Sequence, residues 1–144
     1  MTAPDVVTEM FTAYRTSLDS LENRLGNAFS DAVDLLAGMD GTIVVCGMGK
    51  SGLVGAKITA TLTSTGAPSV FLHPAEAMHG DLGIVRKGDV IILISNSGET
   101  EEITRLLPAL KRLSVRIIAL VGNVDSTMAR ASSICLDAAI DKEA

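Results

Sequence analysis

The stretch TIVVCGMGKSG, residues 42–52, decides the fold of this chain. It begins with β-branched apolar residues, which are typical of a buried strand, and continues into a glycine-rich turn. Gly47 and Gly49 precede the expected start of a helix. Glycine lets the backbone approach a ligand closely, and a helix N-terminus offers unpaired N–H groups and a positive dipole end. A strand, a tight turn and a helix in this order predict an α/β unit with an anion site at the turn.

Four further short apolar runs follow this strand, at 69–72, 90–94, 115–121 and 133–136. They are nearly continuous rather than alternating, as expected for strands covered on both faces. Helices are predicted between the runs, at about 51–65, 99–113 and 125–131. Strands alternating with helices predict an α/β fold built on a doubly wound sheet of five parallel strands.

The residues before this unit predict one long amphipathic helix over about 4–37, with Pro4 in its first turn. Its apolar positions recur every three or four residues, at Val7, Met10, Tyr14, Leu18, Leu21, Leu25, Phe29, Ala32 and Leu36. The sheet or a second subunit must cover this stripe, and we expect both to contribute. We therefore treat residues 1–40 as an N-terminal helix of the same domain as residues 41–144.

Composition narrows the class of protein. The net charge is −5 and basic residues form no cluster, so nucleic acid is not expected as a partner. No apolar run approaches the roughly 18 residues of a membrane span, and the N-terminus does not resemble a signal peptide. Cys46 and Cys135 form no CxxC pair and are expected to be buried free thiols in a reducing compartment. These observations predict a cytoplasmic protein with no membrane partner.

A second polar segment, SNSGET at residues 95–100, follows the third strand. In open parallel sheets, ligands bind beyond the carboxyl ends of the strands. Three hydroxyls beside a helix N-terminus suit a phosphate, whereas helix capping would need only one of them. Glu99 and Glu101 are expected to contribute only a favourable charge at the start of the helix.

The first loop also permits other interpretations. Its spacing fits the dinucleotide fingerprint G-x-G-x-x-G, but the second strand ends in Leu72-His73 without the acidic residue that would hold a ribose. A Walker A motif is excluded because Val44 occupies a required glycine position. Lys50 could neutralise a phosphate, polarise a carbonyl oxygen or simply be solvated. His73 and His79 lack an obvious third ligand, so no metal site is predicted.

The motifs together resemble a known family. The combination of GMGKSG (47–52), HPAEAMHGDLG (73–83), SNSGETEEI (95–103) and the final KEA (142–144) resembles the arabinose 5-phosphate isomerases, which are SIS (sugar isomerase) domain proteins. SNSGET alone indicates an SIS domain of some kind. The other segments narrow the resemblance to this family, and the similarity extends from about residue 10 to the last residue.

The resemblance implies a flavodoxin-like sheet, a homodimer or homotetramer with sites shared between subunits, and no cofactor or metal. It also implies the interconversion of D-ribulose 5-phosphate and D-arabinose 5-phosphate, a step toward Kdo in lipopolysaccharide. The catalytic residues it implies are Lys50, Glu102, Glu143 and His79. The residues expected to bind the substrate phosphate are Gly49, Ser51, Ser95, Asn96, Ser97 and Thr100.

The chain also departs from the family pattern. Family members continue past the KEA segment into a long helix and a second essential histidine, and many carry two CBS domains. Residues 41–144 are therefore expected to be a C-terminally incomplete SIS domain. Two alternatives stay open: a non-catalytic sugar-phosphate sensor, and an isomerase of another phosphosugar such as a heptose phosphate.

Overall fold

The computed structural model describes residues 2–140, and a parallel sheet of five strands forms its centre. The strands are β1 Ile43–Gly47, β2 Ser69–Leu72, β3 Val90–Ser95, β4 Arg116–Val121 and β5 Ile134–Asp137. Their order across the sheet is β2-β1-β3-β4-β5, and all four neighbouring pairs are parallel. The predicted doubly wound sheet is confirmed, and its order is that of flavodoxin-like folds. In this order, the connections change direction between β1 and β3.

The helices are α1 Ala3–Ala37, α2 Gly49–Ser64, α3 Pro74–Met78, α4 Glu101–Thr104, α5 Leu107–Leu113 and α6 Thr127–Ala131. A 3₁₀ turn covers Asp81–Ile84, and neither this turn nor α3 was predicted. The single helix expected over 99–113 is wrong, because α4 and α5 are separate. Pro108 has no N–H to donate to the carbonyl of Thr104, so the helical ladder breaks between them.

The core lies on both faces of the sheet, because alternate residues of each strand point in opposite directions. On one face, Val45 and Ile94 pack with Ile58 of α2, and Ile118 packs with Ala32 of α1. The opposite face packs against α3, α4, α5 and α6 through a larger cluster. It includes Val44, Ile91, Ile117, Ala77, Ile103, Leu110 and Met128. Both faces are therefore covered, as the continuous apolar strands predicted.

The N-terminal helix differs from its prediction in one respect. It spans the expected residues, with Pro4 in its first turn, but Gly26 breaks the helical geometry with φ 46° and ψ −145°. The segment after this kink packs on the sheet through Ala32 and its neighbours. Before the kink, Phe11, Tyr14 and Leu18 are 50%, 53% and 63% exposed. The sheet thus covers only the C-terminal part of the apolar stripe.

The two cysteines are free thiols, as predicted. Cys46 lies in β1 and is fully buried, whereas Cys135 in β5 is only partly buried. Burial raises the pKa of the Cys46 thiol to about 12. A thiol with such a pKa holds almost no thiolate at neutral pH and is chemically inert there.

Candidate functional site

The loop between β1 and α2 is a tight turn that only glycine permits. A Cβ on Gly47 would lie 2.9 Å from the carbonyl oxygen of Ser51, and a Cβ on Gly52 would lie 2.7 Å from that of Gly47. Gly49 has a φ of +56°. Met48 occupies the N-cap position without a side-chain cap. Within residues 2–140, the first amides of this 16-residue helix therefore have no side-chain acceptor, which leaves them available to an anion.

The loop after β3, which we call the hydroxyl loop (Ser95–Thr100), brings three hydroxyls together. The Oγ of Ser95 lies 2.7 Å from Oγ1 of Thr100 and 3.4 Å from Oγ of Ser97. Ser95 also accepts a hydrogen bond from the Gly98 amide at 3.0 Å. Ser95 is only 3% exposed, whereas Ser97 is exposed and Thr100 is half-buried. The cluster therefore has a fixed buried base and an open side.

Helix capping does not account for this cluster. Thr100 occupies the N-cap position of α4, yet its hydroxyl makes no capping bond and contacts Ser95 instead. Ser97 accepts a hydrogen bond from the Glu99 amide at 3.1 Å, which closes a local turn. The hydroxyl of Thr100 therefore belongs to the cluster instead of capping α4, and this arrangement favours an anion site over simple helix capping.

The two loops leave the sheet side by side. β1 and β3 are neighbours, and Gly47 at the end of β1 is paired with Ile94, the residue before Ser95. Gly49 and Ser51 of the first loop and the hydroxyl loop therefore lie at the carboxyl edge of adjacent strands. This edge is where the connections change direction, the usual ligand site of a doubly wound sheet.

Comparison with known proteins identifies the family of this arrangement. Residues 36–144 match the SIS domain family, which covers most of the chain. The chain belongs to the SIS-domain family. Its structure superposes on a protein of E. coli CFT073, solved in complex with arabinose 5-phosphate, with a TM-score of 0.84 and 36% sequence identity. That alignment covers 99% of this chain and 78% of the neighbour.

Curated relatives of this SIS domain are longer proteins. It is 52% identical over 130 residues to arabinose 5-phosphate isomerase KdsD of Pseudomonas aeruginosa, covering 90% of this chain and 40% of the relative. It is 48% identical over 136 residues to KdsD of Escherichia coli K12, covering 94% of this chain and 42% of the relative. The chain thus spans about two fifths of the length of the curated relatives it matches.

The side chains predicted to be catalytic lie on different elements of the SIS domain. Lys50 is exposed in the first turn of α2, Glu102 is half-buried in α4, and His79 is exposed at the C-terminal end of α3. Among residues 2–140, no hydrogen bond or ion pair joins these three side chains. The helices α3 and α4 pack against each other, so His79 and Glu102 lie on neighbouring elements. Glu143 lies outside the described residues.

The expectation that Glu99 contributes only a helix charge is incomplete. Its carboxylate accepts a hydrogen bond from the Thr127 amide at 2.6 Å, and this bond lowers the pKa of Glu99. Glu101 instead pairs with Arg105 on the protein surface. Because 28 residues separate Glu99 from Thr127, no local sequence pattern signals their contact.

The described part of the chain holds no group of three or more His, Cys, Asp or Glu side chains that could bind a metal ion. Within the same residues, none of the helices is long and apolar enough to cross a membrane.

Proposed function

We propose that this chain forms the active-site domain of an arabinose 5-phosphate isomerase, which interconverts D-ribulose 5-phosphate and D-arabinose 5-phosphate. The observation that carries this proposal is the hydroxyl cluster beside the uncapped N-terminus of α2, at the switch point of the sheet. Two relatives at about half identity are named arabinose 5-phosphate isomerases, and a structural neighbour was solved with the same sugar phosphate bound.

Phosphate binding is the first step of the proposed mechanism. A phosphate has strong acceptor oxygens, which suit the hydroxyls of Ser95, Ser97 and Thr100 and the open amides of α2. The charge of Lys50 and the positive end of the α2 dipole favour the anion. With the phosphate bound between these groups, the sugar carbons would extend from the carboxyl edge of the sheet. Lys50, Glu102 and His79 lie on the helices that follow the strands at this edge.

Proton transfer is the second step. An aldose–ketose isomerisation removes a proton from C1 of the ketose, passes through a cis-enediol and returns a proton to C2. It needs a base near these carbons and an electrophile beside the developing oxyanion. We assign the base to Glu102 or Glu143, the electrophile to Lys50, and an assisting role to His79. The product would serve Kdo formation in the cytoplasm, as the family resemblance implies.

A homodimer or homotetramer with shared sites is part of the same proposal. Before the kink at Gly26, Phe11, Tyr14 and Leu18 expose an apolar face that the sheet does not cover. Exposed apolar patches of this kind mark protein interfaces. A Leu18→Glu variant should reduce the mass measured by light scattering, and an unchanged mass would exclude this face as the interface.

The decisive experiment follows D-ribulose 5-phosphate by proton NMR in D2O with this chain. Arabinose 5-phosphate signals with deuterium at C2 would support a proton-transferring isomerase. Line-broadening of the ligand without product would indicate either a binding-competent part of the isomerase or a non-catalytic sugar-phosphate sensor. Sedoheptulose 7-phosphate, tested in parallel, distinguishes an isomerase of longer sugars. No broadening with either ligand would contradict the proposed function.

The base is tested by Glu102→Gln, with Glu101→Gln as the matched control on the same turn of α4. If Glu102 is the base, its amide variant should lower kcat by about 100-fold or more, because general-base catalysis contributes factors of that size. The control should retain activity, since the Glu101 side chain forms an ion pair with Arg105 on the protein surface. A loss below about threefold in Glu102→Gln would exclude Glu102 as the base.

A further inference from the structure

The hydroxyl loop is held from outside by the segment that links β4 to α6, residues 122–126, and by the first turn of α6. The Gly122 amide donates to the carbonyl of Asn96 at 2.9 Å, and the Met128 amide donates to the carbonyl of Gly98 at 3.1 Å. The third connection is the bond from the Thr127 amide to Oε1 of Glu99 at 2.6 Å. It is the only one of these three that depends on a side chain of the hydroxyl loop.

The two segments also pack so closely that neither can shift toward the other. A Cβ on Gly98 would lie 2.0 Å from Oγ of Ser126, and a Cβ on Gly122 would lie 2.3 Å from Oδ1 of Asn96. Ser126 is fully buried, and its hydroxyl accepts from the Ala129 amide at 3.3 Å. The hydroxyl loop therefore rests on a fixed surface, and its only freedom is to move away.

The carboxylate of Glu99 is unexpected in a loop proposed to bind an anion. Glu99 is two residues from Ser97 and one from Thr100, so its negative charge would repel a phosphate bound there. Its bond to Thr127 lowers its pKa, as does the nearby Arg130, so Glu99 is charged at neutral pH. Arg130 also donates to the carbonyl of Asp125 and to Oγ1 of Thr127, which places a cation at the same helix start.

We propose that Glu99 is a positioning residue, whose carboxylate fastens the hydroxyl loop to the start of α6 and so keeps Ser95, Ser97 and Thr100 arranged for the substrate phosphate. This inference rests on the proposed function, because it assigns a purpose to the same phosphate site. It opposes the simple electrostatic expectation. If the charge of Glu99 acted only by repulsion, its removal would tighten phosphosugar binding.

The test compares the unsubstituted chain with Glu99→Ala, Glu99→Gln and the control Glu101→Ala, using arabinose 5-phosphate and isothermal titration calorimetry. Glu99→Ala should weaken binding about fivefold, because it loses one charge-assisted hydrogen bond that orders the loop. Glu99→Gln keeps an amide oxygen that can accept from Thr127, so it should recover part of that loss. Glu101→Ala should bind as the unsubstituted chain does.

Amide NMR spectra of the same variants report on the loop itself. In Glu99→Ala, the resonances of Thr127, Ser97 and Thr100 should move together, while those of Glu101→Ala stay in place beyond α4. Unchanged or tighter binding by Glu99→Ala would overturn the role of Glu99 and leave the proposed function intact. Absence of phosphosugar binding by the unsubstituted chain would overturn both.

Discussion

Gly98 is the position where a single methyl group should most disturb the site. Its φ is +66°, a left-handed conformation that costs other residues about 1–2 kcal/mol. An added Cβ would also lie 2.0 Å from Oγ and 2.4 Å from Cβ of the buried Ser126. Such overpacking costs about 1–3 kcal/mol. We therefore expect Gly98→Ala to lower the free energy of unfolding by about 2–5 kcal/mol.

The assay is urea unfolding followed by circular dichroism at fixed protein concentration, since the chain has no Trp for fluorescence. Gly49→Ala is the matched control, because Gly49 has a similar φ of +56° and no atom within 4 Å of an added Cβ. Gly49→Ala should lower the free energy of unfolding only by the cost of the left-handed backbone, about 1–2 kcal/mol. Combining Gly98→Ala with Ser126→Gly should restore the steric part of the loss. Equal losses in Gly98→Ala and Gly49→Ala would refute the packing argument.

Two further predictions concern the buried residues Asp89 and Cys46. The carboxylate of Asp89 accepts hydrogen bonds from the amides of Thr42 at 2.8 Å and Arg86 at 2.7 Å. Asp89→Ala should therefore lower the free energy of unfolding, measured in urea, by about 2–3 kcal/mol. A decrease below about 1 kcal/mol would contradict this prediction. Cys46 should resist iodoacetamide at pH 8 in the folded chain, whereas the partly buried Cys135 should react, but more slowly than an exposed thiol because burial and Asp137 raise its pKa. Because the pKa of Cys46 is raised from 9.0 to about 12, its contribution to stability should be complete below pH 9 and fall as the pH rises toward 12. Comparing the unfolding free energies of the chain and Cys46→Ala across this range measures that fall, and parallel curves would exclude it.

The sheet was predictable because its signal is local. The run at residues 90–94 appears as β3, Val90–Ser95, since apolar β-branched residues favour a strand buried on both faces. The features that the sequence did not predict are those with a weak local sequence signal or those that depend on residues distant in sequence. α3 has five residues, too few for a helical period, although Pro74 in its first turn is a start signal. The kink at Gly26 was missed because an interior glycine also fits a continuous helix.

The site was predictable in its parts but not in its connections. The sequence places Ser95, Ser97 and Thr100 after one strand, and the structure brings their hydroxyls together. The bond between Glu99 and Thr127 joins the loop after β3 to the start of α6, which follows β4, so it depends on β3 and β4 being neighbours in the sheet. That order follows from the whole topology and from no motif. For this reason, sequence reasoning treated Glu99 as a helix charge.

The proposed phosphate site and the proposed catalytic side chains differ in rigidity. The proposed phosphate site includes Ser95, the last residue of β3, which is buried and fixed by the register of the sheet. Lys50 and His79 instead lie exposed at helix ends, with no ion pair among the described residues. A rigid anchor can hold a phosphosugar while exposed groups adjust to the carbons that react. Binding should therefore depend on the sheet and its neighbouring loops, whereas catalysis should also depend on what surrounds the exposed side chains of Lys50 and His79.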